Sequence, residues 1–422
     1  MTDLNAQPYH RIQTEQGRYY FAAGLALMLS SVAFRLGAPA AGVTLLAAFP
    51  LLLVLARYEV LVFDGTHLRR RGPYAWWQAR MLGGTTSLPL AQLELSITEV
   101  VHLPLTLARY RFRTILVGNG FEAVLFSNTA GYAPFVTAVF SAVDESKLDF
   151  HSRAWLQYGT PPPLTEMAEA MDDHHLAQFP AVLLRRTANH FTLTGRLRLA
   201  QRYFRQAYGR DRGNPHLLCE MGYFFRRFAL AEHPRWQLRA AACLRLAARL
   251  ARHEPHLLER IGEAYCELFD FARAERCFRK ALELNRQLFR AYAGLAELAF
   301  RDGQLARVAH FYYAAAHSTS DPALRRRAQS EARYYERLSQ DDDYLEAEVR
   351  RITWLHHIRQ MRTMAGGIFF VAWLVVGLTG ERFPDVQDIG LALMGSSGLA
   401  WLGLSCGLHW QRRRSALPET VT

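Results

Sequence analysis

Four apolar runs lie in two close pairs, one near each end of the chain, and they constrain its fold more than any other feature. Tyr19 to Phe34 and Ala40 to Ala56 are separated only by the short turn that begins at Arg35. Met364 to Thr379 and Ile389 to Trp410 are separated by the polar loop GERFPDVQD. Each run approaches the roughly 20 residues that a helix needs to cross a bilayer core. Backbone placed in that core must satisfy its own hydrogen bonds. The expectation is two transmembrane helical hairpins, residues 19–56 and 364–410, giving four spanning helices. Ala38-Pro39-Ala40 also resembles a leader cleavage site, but Asp3, Glu15 and the immediate second apolar run do not suit a leader. No Asp, Glu, Lys or Arg stands inside the runs. Proton relays and ion paths need such groups, which argues against a pump or transporter. Gly395, Gly398, Gly403 and Gly407 would let helices approach closely, either hairpin on hairpin or against a partner.

Orientation follows from the flanking arginines. Arg11, Arg18, Arg57, Arg69, Arg70, Arg71, Arg350, Arg351, Arg359, Arg362 and Arg412 to Arg414 fall on one side, against Arg35 and Arg382 on the other. Both termini (residues 1–18 and 411–422) and the whole middle of the chain are therefore expected on the cytoplasmic side. The net charge of +12 is carried almost wholly by Arg, with Lys147 and Lys280 the only lysines. That bias reads as GC-rich coding in a bacterium rather than as a nucleic-acid surface, so the inner membrane is the expected location and no nucleic acid is expected. The five cysteines form no CxxC pair and read as reduced thiols.

Residues 57–147 change to short alternating runs. YEVLVF, then Asp64-Gly65, then THLRRR reads as a β-hairpin. LELSITEVVHL and RYRFRTILVG follow, then Asn119-Gly120 and FEAVLF, and a helical pattern over Gly131 to Val143. Strands closed by a C-terminal helix after a transmembrane hairpin resemble the pleckstrin-homology-like (PH-like) domains of bacterial membrane proteins. Arg69, Arg70 and Arg71, with Trp76 and Trp77, either touch lipid headgroups or form a solvated basic turn beside core aromatics. Residues 148–180 read as a connector. Within it, Asp172, Asp173, His174 and His175 are adjacent in sequence and would point in different directions on a helix, so a metal site is not expected.

The stretch PHLLERIGEAYCELFDFARAERCFRKALELN, Pro255 to Asn285, reads as one repeat. Ile261, Gly262 and Tyr265 stand on a first helix, and Ala274, Phe278 and Ala281 on a second. The frame recurs with Met221, Gly222, Phe225 and Ala240, Leu244, Ala247; with Ala188, Phe191 and Ala200, Phe204, Ala207; and with Leu295, Ala296 and Val308, Tyr312, Ala315. This spacing resembles the tetratricopeptide repeat, TPR. The whole chain is thus expected to be mainly α: a TPR-like α-solenoid of four units over residues 181–322, two transmembrane hairpins and a small β-rich PH-like domain. Residues 323–363 would supply a capping helix and a helix at the membrane surface, with Arg350, Arg351, Trp354, Arg359 and Arg362 at the interface.

The resemblance implies protein recognition in a groove lined by the first helices. The groove positions are Arg185, Asn189, Tyr223, Arg226, Arg227, Glu259, Glu263, Glu267, Glu297 and Arg301. Tyr223, Glu259 and Glu263 depart from the basic clamp that some members use for C-terminal carboxylates. A partner of mixed charge fits better, although these charges could also pair across adjacent helices. No nucleophile–base set, phosphate loop or HExxH stands out, so neither catalysis nor a cofactor is expected. The expected role is a non-catalytic scaffold that holds a protein at the membrane during assembly of a membrane or envelope complex. The alternative is an accessory subunit of a membrane enzyme or of a transport or secretion complex.

Overall fold

The structure, a computed structural model, describes residues 10–14, 16–82, 85–102, 110–229, 234–379 and 383–412. It divides into two compact units: Met1–Glu15 with Tyr58–Ala332, and Gln16–Arg57 with Arg333–Thr422.

The first unit begins with two antiparallel sheets. Strands β1 (His10–Gln13), β2 (Val60–Phe63), β3 (His67–Arg71) and β4 (Ser87–Pro89) form one, in that order. Strands β5 (Leu95–His102), β6 (Tyr110–Gly118) and β7 (Phe121–Phe126) form the other. Asn119 and Gly120, both at positive φ, make the tight turn between β6 and β7, as the Asn-Gly pair predicts. Strand β1 was not read from the sequence: it lies in the terminal segment, before the first apolar helix. It pairs with β2 in the register His10↔Phe63 to Gln13↔Val60, so the first two helices are an insertion between neighbouring strands. Four residues carry too little periodicity to announce a strand. Helix α4 (Tyr132–Ser141) buries Tyr132, Phe135, Val136, Val139 and Phe140 in the sheet core.

Eight further helices form successive pairs: α7 (Ala181–Leu193) with α8 (Leu197–Arg210), α9 (Pro215–Ala229) with α10 (Pro234–Leu250), α11 (Pro255–Glu267) with α12 (Phe271–Leu284), and α13 (Phe289–Arg301) with α14 (Leu305–Ser318). Small residues set the closeness of these pairs. A Cβ on Gly262 would stand 2.6 Å from Phe278 Cε1, and one on Gly222 would stand 2.7 Å from Leu244 Cδ2. Gly294, which the spacing did not single out, meets the same Phe278 ring at 2.6 Å. Residues 230–233, in the expected insertion, lie outside the described residues. Leu324 and Ala328 of α15 (Pro322–Gln340) are buried in one cluster with Phe289, Ala315 and Ala316 of the last pair.

In the second unit, α1 (Gln16–Arg35) pairs with α2 (Pro39–Ala56), and α16 (Asp342–Thr379) pairs with α17 (Pro384–Arg412). Three helices among the described residues are long and apolar enough to cross a membrane: Pro39–Ala56, Asp342–Leu378 and Pro384–Leu408. The fourth expected span, α1, is a helix, but Gln16, Arg18, two Tyr, two Ser and Arg35 dilute its hydropathy. Its far end is fixed by Arg35, whose Nη1 donates to Val376 O at 2.8 Å. Arg382, the other arginine assigned to that side, lies outside the described residues. The expected separate surface helix and third span are instead one uninterrupted helix of 38 residues. At 1.5 Å per residue it is about 57 Å long, nearly twice the roughly 30 Å of a hydrocarbon core.

Candidate functional site

The connector between sheets and helix pairs holds two short α-helices. Helix α3 (Pro73–Leu82) precedes it in the sheet region; α5 (Phe150–Tyr158) and α6 (Asp173–Leu176) lie within it. At the start of α6, within the run Asp172 to His175, Asp172 forms a local cap by accepting from His175 N at 2.8 Å. Helix α5 is different. Asp149 caps it by accepting from Ser152 N at 2.9 Å, and every residue from His151 to Trp155 is buried.

One side of α5 is fastened to the sheets. Ser152 Oγ lies 2.8 Å from Thr98 Oγ1, Thr98 lies 2.9 Å from Thr114, and Thr114 lies 2.6 Å from the Tyr132 hydroxyl. Trp155 packs edge-on against Phe112 and Tyr132, at centroid separations of 5.4 and 5.0 Å.

The other side faces the first helices of the pairs, and here the sequence-marked residues converge. Arg153 Nη1 donates to Glu259 Oε1 at 2.9 Å, and its Nη2 donates to Glu263. Arg290 reaches the second oxygen of Glu263 at 2.9 Å. His151 Nε2 lies 3.2 Å from Glu267, and its Nδ1 lies 3.1 Å from the Tyr223 hydroxyl. Arg227 donates to the same hydroxyl at 2.7 Å and lies 5.5 Å from the Tyr110 ring centroid, beneath the second sheet. The Tyr158 hydroxyl donates to Glu220, which also accepts from Asn189 Nδ2 at 2.7 Å and pairs with Arg185 at 3.4 Å.

The charges are mutually compensated. Burial pushes Glu263 up, but the Arg153 and Arg290 guanidiniums outweigh it and hold the carboxyl below its ordinary range. Burial leaves Glu259 raised despite Arg153. Burial likewise pushes Glu267 up, but hydrogen bonding from His151 and the charges of His151, Arg227 and Arg226 bring it down to about 2. The space beside α5, lined in part by Tyr158, Asn189, Glu220, Tyr223 and Arg260, is about 20 Å³, room for one water.

Seven of the ten expected groove residues therefore have partners within the chain, the alternative in which these charges pair internally. Arg185, Asn189, Tyr223, Arg227, Glu259, Glu263 and Glu267 all contact each other or a segment of the same chain. A carboxylate buried there needs a cation, and α5 supplies it. His151, Arg153 and Tyr158 had no helical periodicity to mark them in the sequence. The asparate cap followed by Phe150 to Tyr158 was the one available signal.

Three predicted residues lie at the edge. Glu297 is exposed. Arg226 donates from Nε to Glu267 O at 2.7 Å, and its guanidinium stands 5.4 Å from the Phe269 ring. Phe269 contacts Phe271 at 6.1 Å, and Arg301 lies 3.2 Å from the Phe271 centroid. Phe269 occupies a special place. Asp270 N bonds to Tyr265 O and Phe269 N to Cys266 O, which closes a Schellman turn with Phe269 at its left-handed position. Corresponding bonds close the turns at Gly195 and Gly303. Phe269 holds φ +59° where those turns use glycine, and it is 71% exposed.

The residues assigned to a membrane surface divide in the same way. Arg70 is buried and donates to Glu122 O at 3.1 Å, whereas Arg69 and Arg71 share the exposed face of β3, where Arg69 pairs with Asp64 at 3.2 Å. Trp76 and Trp77 are not core aromatics: both are exposed on α3. On α16, Arg350 pairs with Glu346 and Arg351 with Glu348; Trp354 is exposed, and Arg359 and Arg362 are half-buried.

No protein-family model matches the chain, and no curated protein matches it.

Proposed function

We propose that the chain is a non-catalytic, membrane-anchored scaffold. We read its four helix pairs as TPR-like units, its sheets as a PH-like domain, and α1 as a fourth span that completes two hairpins in a bacterial inner membrane. With the inner face of the first three pairs filled by α5, the docking surface is the aromatic–cationic edge Arg226, Phe269, Phe271 and Arg301. It suits an extended segment of a partner protein that offers acidic and apolar side chains, with the two guanidiniums meeting carboxylates and the rings meeting apolar groups.

The observation that carries this reading is the conformation of Phe269. A bulky residue in the left-handed region costs about 1 kcal/mol or more relative to glycine. Strain held at an exposed position is a mark of use. Phe269→Gly is therefore expected to stabilise the fold by up to about 1 kcal/mol while removing the central anchor. A photoreactive residue at 269 should form a discrete protein adduct in cells, and one at exposed Leu238 should not. Purification through Phe269→Gly, or through Arg226→Glu with Arg301→Glu, should lose the protein found in that adduct. Undiminished recovery of that protein through both variants would refute the assignment.

A further inference from the structure

Helix α3 presents its apolar side chains outward. Ala75 is 2% exposed and faces the sheet domain, whereas Trp76, Trp77 and Met81 are 68%, 44% and 67% exposed. Arg80 is exposed one turn beyond Trp76. In a helix bathed by water this pattern is inverted, because large aromatic area belongs inside. Trp is at home where one end of a side chain is wet and the other apolar, as in the headgroup layer of a bilayer.

The start of α3 is fixed by a carboxylate. Glu59 accepts from Tyr74 N at 3.1 Å and from Ala75 N at 3.0 Å, holding the first turn. Glu59 lies three residues past Ala56, the end of the apolar helix α2. Three residues of chain reach at most about 11 Å. The segment between them carries exposed Arg57 and Tyr58, and the strand leading into α3 ends on exposed Arg71. The apolar face of α3 thus carries Arg80 on its own helix, follows Arg71 in the chain, and is joined through a short stretch of chain to the end of a membrane-crossing segment.

We infer that α3 is an interfacial helix. Trp76, Trp77 and Met81 enter the headgroup and upper acyl layer of an anionic bilayer, and Arg71 and Arg80 meet its phosphates. This rests on the reading of α2 as a span. Of the arginine run, Arg70 bonds within the domain and Arg69 pairs with Asp64, and the tryptophans that follow carry the contact.

The test uses the full chain in vesicles containing phosphatidylglycerol, with a genetically encoded fluorescent residue at 81, at 51 in α2, or at 238 in α10. Lipids carrying a nitroxide near the headgroup should quench the probe at 81. Iodide in the buffer should quench it at least about threefold less than at 238, in keeping with the depth of about 5–10 Å that interfacial helices reach. Replacing the anionic lipid by a zwitterionic one should weaken the lipid quenching at 81 but not at 51. Equal iodide quenching at 81 and 238, with 51 still lipid-quenched, overturns the inference and leaves the face to solvent or a protein. Lipid quenching at 81 that ignores lipid charge overturns the anionic assignment. Loss of lipid quenching at 51 itself refutes the anchoring on which the inference rests.

Discussion

Glu331 on α15 is 5% exposed and neighbours Arg327 and Glu94. Burial pushes its carboxyl up to about 7, with Arg327 opposing and Glu94 reinforcing the rise. A raised acid favours the folded state in its neutral form. Its stabilising contribution is therefore complete below about pH 4.5 and is lost as pH rises through about 7. Glu331→Gln should flatten that profile and leave the protein more stable than the parent at pH 8, by on the order of 2–3 kcal/mol. Denaturant unfolding in detergent at pH 5 and pH 8 measures this, and equal pH dependence in both proteins would show that the group ionises freely. Phe269 illustrates the opposite use of a single residue, with local conformational cost kept in exchange for an exposed ring.

At the scale of elements, α5 decides the character of the helix pairs. It joins the second sheet to α7, α9 and α11 through hydroxyls on one side and charges on the other. Arg153 is the centre of that arrangement because two carboxylates on α11 depend on it. Arg153→Ala strands Glu259 in a buried site and is expected to cost about 3–5 kcal/mol, the loss typical when one partner of a buried pair is removed. Hydrogen exchange should then report faster exchange across Phe150–Tyr158 while α12 and α14 keep their protection. Unchanged protection of α5 would mean that the aromatic contacts of Trp155 alone hold it.

At the scale of the whole molecule, the arrangement of apolar helices and arginines sets the expected topology. We propose, from the arginine asymmetry, that the start of α17 lies on the side of the membrane opposite the helix pairs. A cysteine in place of Asp385 should therefore react with an impermeant maleimide applied to the periplasmic face. A cysteine in place of Leu238 should react only after the inner membrane is opened. The reverse pattern would invert the topology. α1 belongs to this scale as well: its own hydropathy leaves it short of a span, and Arg35 bonded to Val376 O ties its end to α16.

Periodicity and turn chemistry in the sequence were enough to locate the helix pairs, the strands β2, β3 and β5 to β7, and the apolar runs. Gly262 against Phe278 shows why: a backbone approach that close leaves a compositional mark at a fixed spacing. The sequence also marked ten residues on one face of the first helices, and most of them do converge. Only tertiary structure decided what they meet. β1 is too short to announce itself, and its pairing partner lies beyond a two-helix insertion. The burial of Glu259 and Glu263 depends on Arg153, more than 100 residues away in the chain. A charged side chain looks the same in sequence whether it faces solvent, a partner or its own chain. Which of these it faces is set by long-range packing, and local spacing carries no record of that.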